Sequence, residues 1–207
     1  MKKKVVFYSV FLAVLVGLFY FMLSFTKGFF DVKLPVMSYV QDFSFTDQNG
    51  QTVTNKDLAD KVYVAEYFFT TCKGICPKMN ANMKGVFDKF RNNKNFAIIS
   101  HTSMPETDSV PLLKAYEEKM IGKDPHYPAE WYFVTGSKDS LYKMARQSYL
   151  LDNDKNNSVN IEDHFIHTQF FALVDKEKRV RGIYDGLKKD EIARLDTDIQ
   201  ELLNEKE

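Results

Sequence analysis

Cysteine is nearly absent from this 207-residue chain: Cys72 and Cys76 are its only two. No cysteine follows the apolar run near the amino terminus, which excludes a lipid-attached form on this reading. A small-residue cleavage site of the Ala-x-Ala kind is missing as well, since Phe25-Thr26-Lys27-Gly28-Phe29-Phe30 stands where a signal peptide would end. Excess charge of either sign is lacking, with 28 Lys+Arg against 28 Asp+Glu. Without Lys2, Lys3 and Lys4 the balance turns mildly acidic, and nothing in it points to nucleic acid. No internal repeat is visible.

What is present begins with residues 5–25, VVFYSVFLAVLVGLFYFMLSF, an uncharged run that reaches the roughly 20 residues needed to cross a hydrocarbon core. Lys2, Lys3 and Lys4 precede it, and the positive-inside rule then leaves the amino terminus in the cytoplasm and sends the rest outward. The expected organisation is a cytoplasmic end (1–4), a transmembrane anchor (5–25), a tether (26–40) and one folded domain (41–207). An oxidising compartment favours a disulfide between two lone cysteines, so the pair must be oxidised, metallated or kept reduced by a partner.

Phe43 to Val53 alternates around Asn49-Gly50, a strong hairpin signal, and Thr54 to Asp57 has the form of a capping box before a brief helix. Strands are predicted at Val62–Phe69, Phe96–Ser100, Trp131–Val134, Thr168–Val174 and Arg179–Tyr184, all rich in β-branched or aromatic residues. Helical spacing predicts Cys76–Phe90, Val110–Met120, Lys138–Leu150 capped by Ser137, and Lys189–Leu203. Gly122–Glu130 and Asp152–Asn160 read as loops. Strands alternating with helices imply an α/β domain with a central mixed sheet. The order β-α-β, then α, then β-β-α is thioredoxin-like.

The chemistry concentrates in Thr70-Thr71-Cys72-Lys73-Gly74-Ile75-Cys76-Pro77 and in His167, which opens His167-Thr168-Gln169-Phe170-Phe171. Four apart at a helix start, two thiols share a face with Cβ atoms about 5–6 Å apart, close enough to hold one metal ion or close a disulfide. A helix amino terminus also lowers a thiol pKa, which helps nucleophilic attack and metal binding alike. Soft thiolates select Cu(I), zinc or iron–sulfur clusters, and imidazole admits Cu(II). Two thiolates and one imidazole suit copper in both oxidation states; structural zinc would want a fourth ligand, for which His101, His126 and His164 are the spare histidines.

These residues resemble those of the Sco/SenC family of membrane-anchored, thioredoxin-fold copper proteins, which help assemble the copper site of cytochrome c oxidase. The resemblance covers about Phe43 to Leu187, through Phe45-Thr46-Asp47-Gln48-Asn49-Gly50, the cysteine motif, Trp131-Tyr132-Phe133-Val134-Thr135-Gly136, and His167 followed by a strand ending at Asp175. It implies Cys72, Cys76 and His167 as copper ligands, with the histidine where related reductases carry a proline. It further implies a single-pass protein of a bacterial inner membrane with its domain in the periplasm. The implied partners are the copper-accepting oxidase subunit and a periplasmic copper donor or thiol reductant. The chain departs from the family at Lys73-Gly74, at Met104-Pro105 and at Ile166.

Plainer readings stand beside these. Cys72 and Cys76 would form a structural disulfide, or His167 a core histidine; His164 and His126 would be solvated and His101 a surface group. Met79 and Met83 are expected in the core. The alternative activity is thiol–disulfide exchange, with Cys72 attacking and Cys76 resolving. A peroxidase fits worse, because the arginine nearest the motif is Arg91.

Overall fold

The computed structural model describes residues 2–25, 33–123, 126–152 and 168–205. It comprises two units, Met1–Leu34 and Pro35–Glu207. The first contains helix α1 (Lys2–Phe25), whose stretch Lys3–Met22 is long and apolar enough to cross a membrane.

The second unit is built on a six-stranded sheet. Its strands are β1 (Ser38–Tyr39), β4 (Val62–Phe68), β5 (Phe96–Thr102), β6 (Glu130–Val134), β7 (Phe170–Val174) and β8 (Arg179–Asp185), in the order β1-β8-β7-β4-β5-β6. β4, β5 and β6 are parallel, while β7, β8 and β1 join antiparallel. β1 lies inside the stretch read as tether; two residues long, it exists only by pairing with Val180 and Arg179. A separate hairpin, β2 (Ser44–Thr46) and β3 (Thr52–Thr54), matches the Asn-Gly signal. Its loop is longer than the two-residue turn that signal favours. The Asp47 carboxylate accepts the N–H groups of Asn49 and Gln51, and Gly50 takes a positive φ of 75°.

Because side chains alternate across a strand, the buried central strands feed two cores. On one face α2 (Cys76–Phe90), α3 (Val110–Ile121) and α5 (Lys189–Asn204) cover Val64, Glu66 and Phe68 of β4, Ser100 of β5 and Trp131 of β6. Met79 and Met83 are fully buried there, as expected, and the stripe Leu195, Ile199 and Leu202 carries α5. On the other face, Tyr63, Ala65 and Tyr67 pack with the hairpin residues Phe45 and Val53 and with Leu141, Tyr142, Met144 and Tyr149.

Two local expectations change. Residues 55–60 make turns rather than a helix, although Asp57 does accept Thr54 N–H and Oγ as a capping box would. The helix predicted over 138–150 is α-helical only as α4 (Lys138–Lys143), capped by Ser137 Oγ on Ser140 N–H, and widens to a π-helical turn over Met144–Ser148. That turn lets Ser148 Oγ accept Gln41 N–H and Gln147 O accept Ser38 Oγ, which ties it to the edge of the sheet.

Candidate metal centre

β4 delivers the motif from its carboxyl end. Cys72 N–H closes a turn onto Phe69 O at 3.2 Å, and α2 begins only at Cys76, with Pro77 in a first-turn position that needs no N–H. Residues 72–75 therefore lie outside the helix, and the helical spacing expected of the two thiols does not apply. They lie close enough for each to bear on the other, with no disulfide between them. Cys72 is half-buried and Cys76 buried.

The expected lowering of thiol pKa fails at Cys76. Burial pushes this thiol up to about 12, and the Cys72 thiol and the charge of Glu66 push the same way; a main-chain contact at Phe69 offsets only part. Desolvating a thiolate outweighs what the helix terminus offers.

A second residue organises the motif, and sequence reasoning passed over it. Asp108, fully buried before α3, accepts Thr70 Oγ at 2.5 Å, Thr70 N–H at 3.1 Å and Thr102 Oγ at 2.5 Å. It clamps the residue two before Cys72 to the loop after β5. The one available signal was its place three residues beyond Pro105, past the carboxyl end of the neighbouring parallel strand, where sites gather.

The spare histidines separate. His101 is no surface group: it is fully buried on the face opposite α2, stacked 4.9 Å from Tyr67 and edge-on to Phe45 at 5.4 Å. Neither ring nitrogen has a well-formed hydrogen bond among the described residues. Burial drives its pKa down to about 3, and the main-chain carbonyls of Glu66 and Ile99 recover little of that. The sheet thus stands between His101 and the thiols. His126 is exposed, as expected. His164 and His167 lie outside the described residues, and among those described no three His, Cys, Asp or Glu side chains gather as a metal site.

The chain re-enters description at Thr168, beside the site. β7 runs antiparallel to β4, so its amino end lies at the carboxyl end of β4, where the cysteine motif emerges. Gln169 O accepts Gly186 N–H at 2.8 Å, and Gly186 O accepts Asn82 Nδ2 of α2 at 2.7 Å. At the far end of β7, Asp175 serves structure: it binds Arg179 and Arg181 and closes the β7–β8 turn, and these bonds hold its carboxyl below the usual range against the opposing effect of burial. Arg91, at the end of α2, lies over the Tyr127 ring at 4.9 Å.

A mixed sheet flanked by helices, with two cysteines at the end of its central parallel strand, defines a thioredoxin-fold thiol protein. The family model described as SCO1/SenC matches residues 33–204. A SCO1 protein homolog of Bacillus subtilis is 32% identical over 158 residues, covering 75% of this chain and 78% of that one. The chain belongs to the SCO1/SenC family. Among solved structures, BsSco, a member of the Sco family of cytochrome c oxidase assembly proteins described with a disulfide switch, superposes with a TM-score of 0.66 at 28% identity, covering 84% of this chain and 99% of that one. Arabidopsis thaliana ScoI with copper bound gives 0.60 at 20% identity, covering 79% and 99%, a likeness of fold.

Proposed function

We propose that this chain is a membrane-anchored copper-binding protein that assists copper insertion into cytochrome c oxidase. Cys72 and Cys76 bind as thiolates and His167 as neutral imidazole. The observation that carries this reading is the neighbouring placement of the two cysteines at the end of the central strand. Copper is cargo here. Half-buried Cys72 is the donor an acceptor's own ligand can reach, so release proceeds by ligand exchange across a docked interface with the copper-accepting oxidase subunit. Soft donors match this cargo, and neither His101 nor His126 stands ready to complete a four-ligand zinc site. Helix α1 holds the domain at a bacterial inner membrane, amino terminus in the cytoplasm and the thiols in the periplasm.

The test is anaerobic titration of the full-length reduced chain in detergent micelles with Cu(I) and then Cu(II), beside His167→Ala. One copper per chain is expected, with a thiolate-to-Cu(II) absorption band that the variant loses. Unchanged Cu(II) binding in the variant would remove His167 from the ligand set.

A second reading, thiol–disulfide exchange on cysteines of an oxidase subunit or other exported proteins, is favoured by one feature: Cys72 is accessible and Cys76 is buried behind it. That is the arrangement of an attacking and a resolving thiol. No copper binding, with a readily reduced Cys72–Cys76 disulfide, would select it.

A further inference from the structure

The loop after β5 runs beside the cysteine motif and carries a second kind of sulfur. β5 is parallel to β4 with Thr102 opposite Phe68, and Ser103 N–H continues the ladder onto Phe68 O at 2.8 Å. Beyond that point Asp108 holds both segments, its carboxylate accepting Thr70 Oγ and Thr102 Oγ at 2.5 Å each. Two residues past each threonine stands a sulfur-bearing side chain, Cys72 after Thr70 and Met104 after Thr102. Two residues reach at most about 7 Å along the chain, and neither segment runs straight out. Cys72 N–H turns back onto Phe69 O at 3.2 Å, and Met104 N–H onto Thr102 Oγ at 3.0 Å.

Met104 differs from the other methionines of this unit. Met79, Met83, Met120 and Met144 are buried in the two cores, and Met37 is exposed beside β1 at the sheet margin. Only Met104 is half-buried at the sheet end from which the thiols emerge, as Cys72 is. Met104 O accepts Asp108 N–H at 2.9 Å and Thr107 N–H at 3.1 Å, so its backbone is fixed and its side chain, with three rotatable bonds, keeps the freedom. Neighbouring hard donors are engaged or turned away. Asp108 is taken up by Thr70 and Thr102, and His101 faces the other side of the sheet.

We propose that Met104 Sδ is a further ligand for Cu(I) beside Cys72 and Cys76. The inference rests on the copper-binding reading of this site and adds a residue to it. A thioether is soft and matches Cu(I), whereas imidazole suits Cu(II). Met104 therefore serves the reduced ion and leaves the oxidised one to other donors. Its sulfur carries no proton, so the lone pair is available at any pH. It is also uncharged and sits at the rim of the site, which makes it the donor that yields first when an acceptor's own ligand arrives. The bond forms from a sulfur lone pair and breaks by returning it, with no change of oxidation state.

The experiment takes the full-length reduced chain in detergent micelles, without oxygen, as the parent and as Met104→Leu, a swap of like volume. Cu(I) is partitioned against bicinchoninate and Cu(II) is titrated separately. Both proteins are also prepared with selenomethionine, and their Cu(I) forms are read by X-ray absorption at the selenium edge. Met104→Leu is expected to bind Cu(I) about tenfold more weakly than the parent, with Cu(II) binding unchanged. The parent should show copper as a neighbour of selenium, and the variant should not. A purely structural role for Met104 would weaken both ions alike and place no copper beside selenium. Equal Cu(I) affinities, a parent without a selenium–copper neighbour, or such a neighbour surviving Met104→Leu overturns the inference. A parent that binds no Cu(I) overturns the copper reading itself, and the inference with it.

Discussion

Replacing His101 with phenylalanine should remove one component of the domain's sensitivity to acid. Histidine ordinarily titrates at 6.5, and here burial brings the folded-state value to about 3. The unfolded chain takes up a proton below its ordinary value while the folded chain refuses it until far lower. The contribution is therefore complete above pH 6.5 and is lost as pH falls toward 3. Between about pH 7 and about pH 5 the loss integrates to about 2 kcal/mol. Glu66 works in the opposite sense: with its pKa raised from 4.5 to about 8, it favours the folded state below 4.5 and loses that contribution as pH rises through 8. The parent's own pH dependence is thus a difference of two terms, and the comparison must be between parent and variant. Urea unfolding of the full-length chain in micelles, followed by Trp131 fluorescence at both pH values, isolates the histidine term. His101→Phe should lose about 2 kcal/mol less than the parent on acidification, with the aromatic stack on Tyr67 retained. Equal losses in the two proteins would refute the assignment of a neutral, unsatisfied imidazole at this position.

Other expectations follow from buried hydrogen bonds. Asp108→Ala leaves both donors of Thr70 and the hydroxyl of Thr102 without their acceptor and should cost about 3 kcal/mol in urea unfolding. Thr70→Val should cost measurably less in the Asp108→Ala background than in the parent, the mark of a coupled pair. Gln48→Ala removes contacts to Glu117 Oε1, Trp131 O and Phe133 N–H and should cost about 2 kcal/mol, read from the same transition.

Long periodic segments were the legible part of this fold. Helix α2 begins and ends where its apolar spacing predicts, because Met79, Met83, Val86 and Phe90 all meet one sheet face. β1 was illegible because two residues carry no period of their own, and the π-helical turn because one extra residue per turn leaves no compositional mark. At the candidate site, Cys72 and Cys76 announce themselves by scarcity and spacing, whereas Asp108, Glu66 and His101 do not. A polar residue in a strand reads as facing solvent until both sheet faces are known to be covered. Burial, which raises the pKa of Glu66 and lowers that of His101, belongs to the tertiary structure. The same blindness misjudged the Cys76 thiol, where local helix electrostatics were legible and desolvation was not.

The hairpin carries a consequence for how another molecule can approach. Thr46 pairs with both main-chain groups of Thr135, and the Gln48 side chain takes up Trp131 O and Phe133 N–H, so these outward-facing groups of β6 are already matched. Gly136 lets the Phe45 ring seat against this edge, since a Cβ there would lie 2.8 Å from it. At the opposite margin β1 is only two residues long. The β6 border, its groups matched, is therefore not left as an open template on which a foreign strand could extend the sheet. That border is protected against edge-to-edge aggregation, and a visitor on this side must be recognised by side chains rather than by strand pairing.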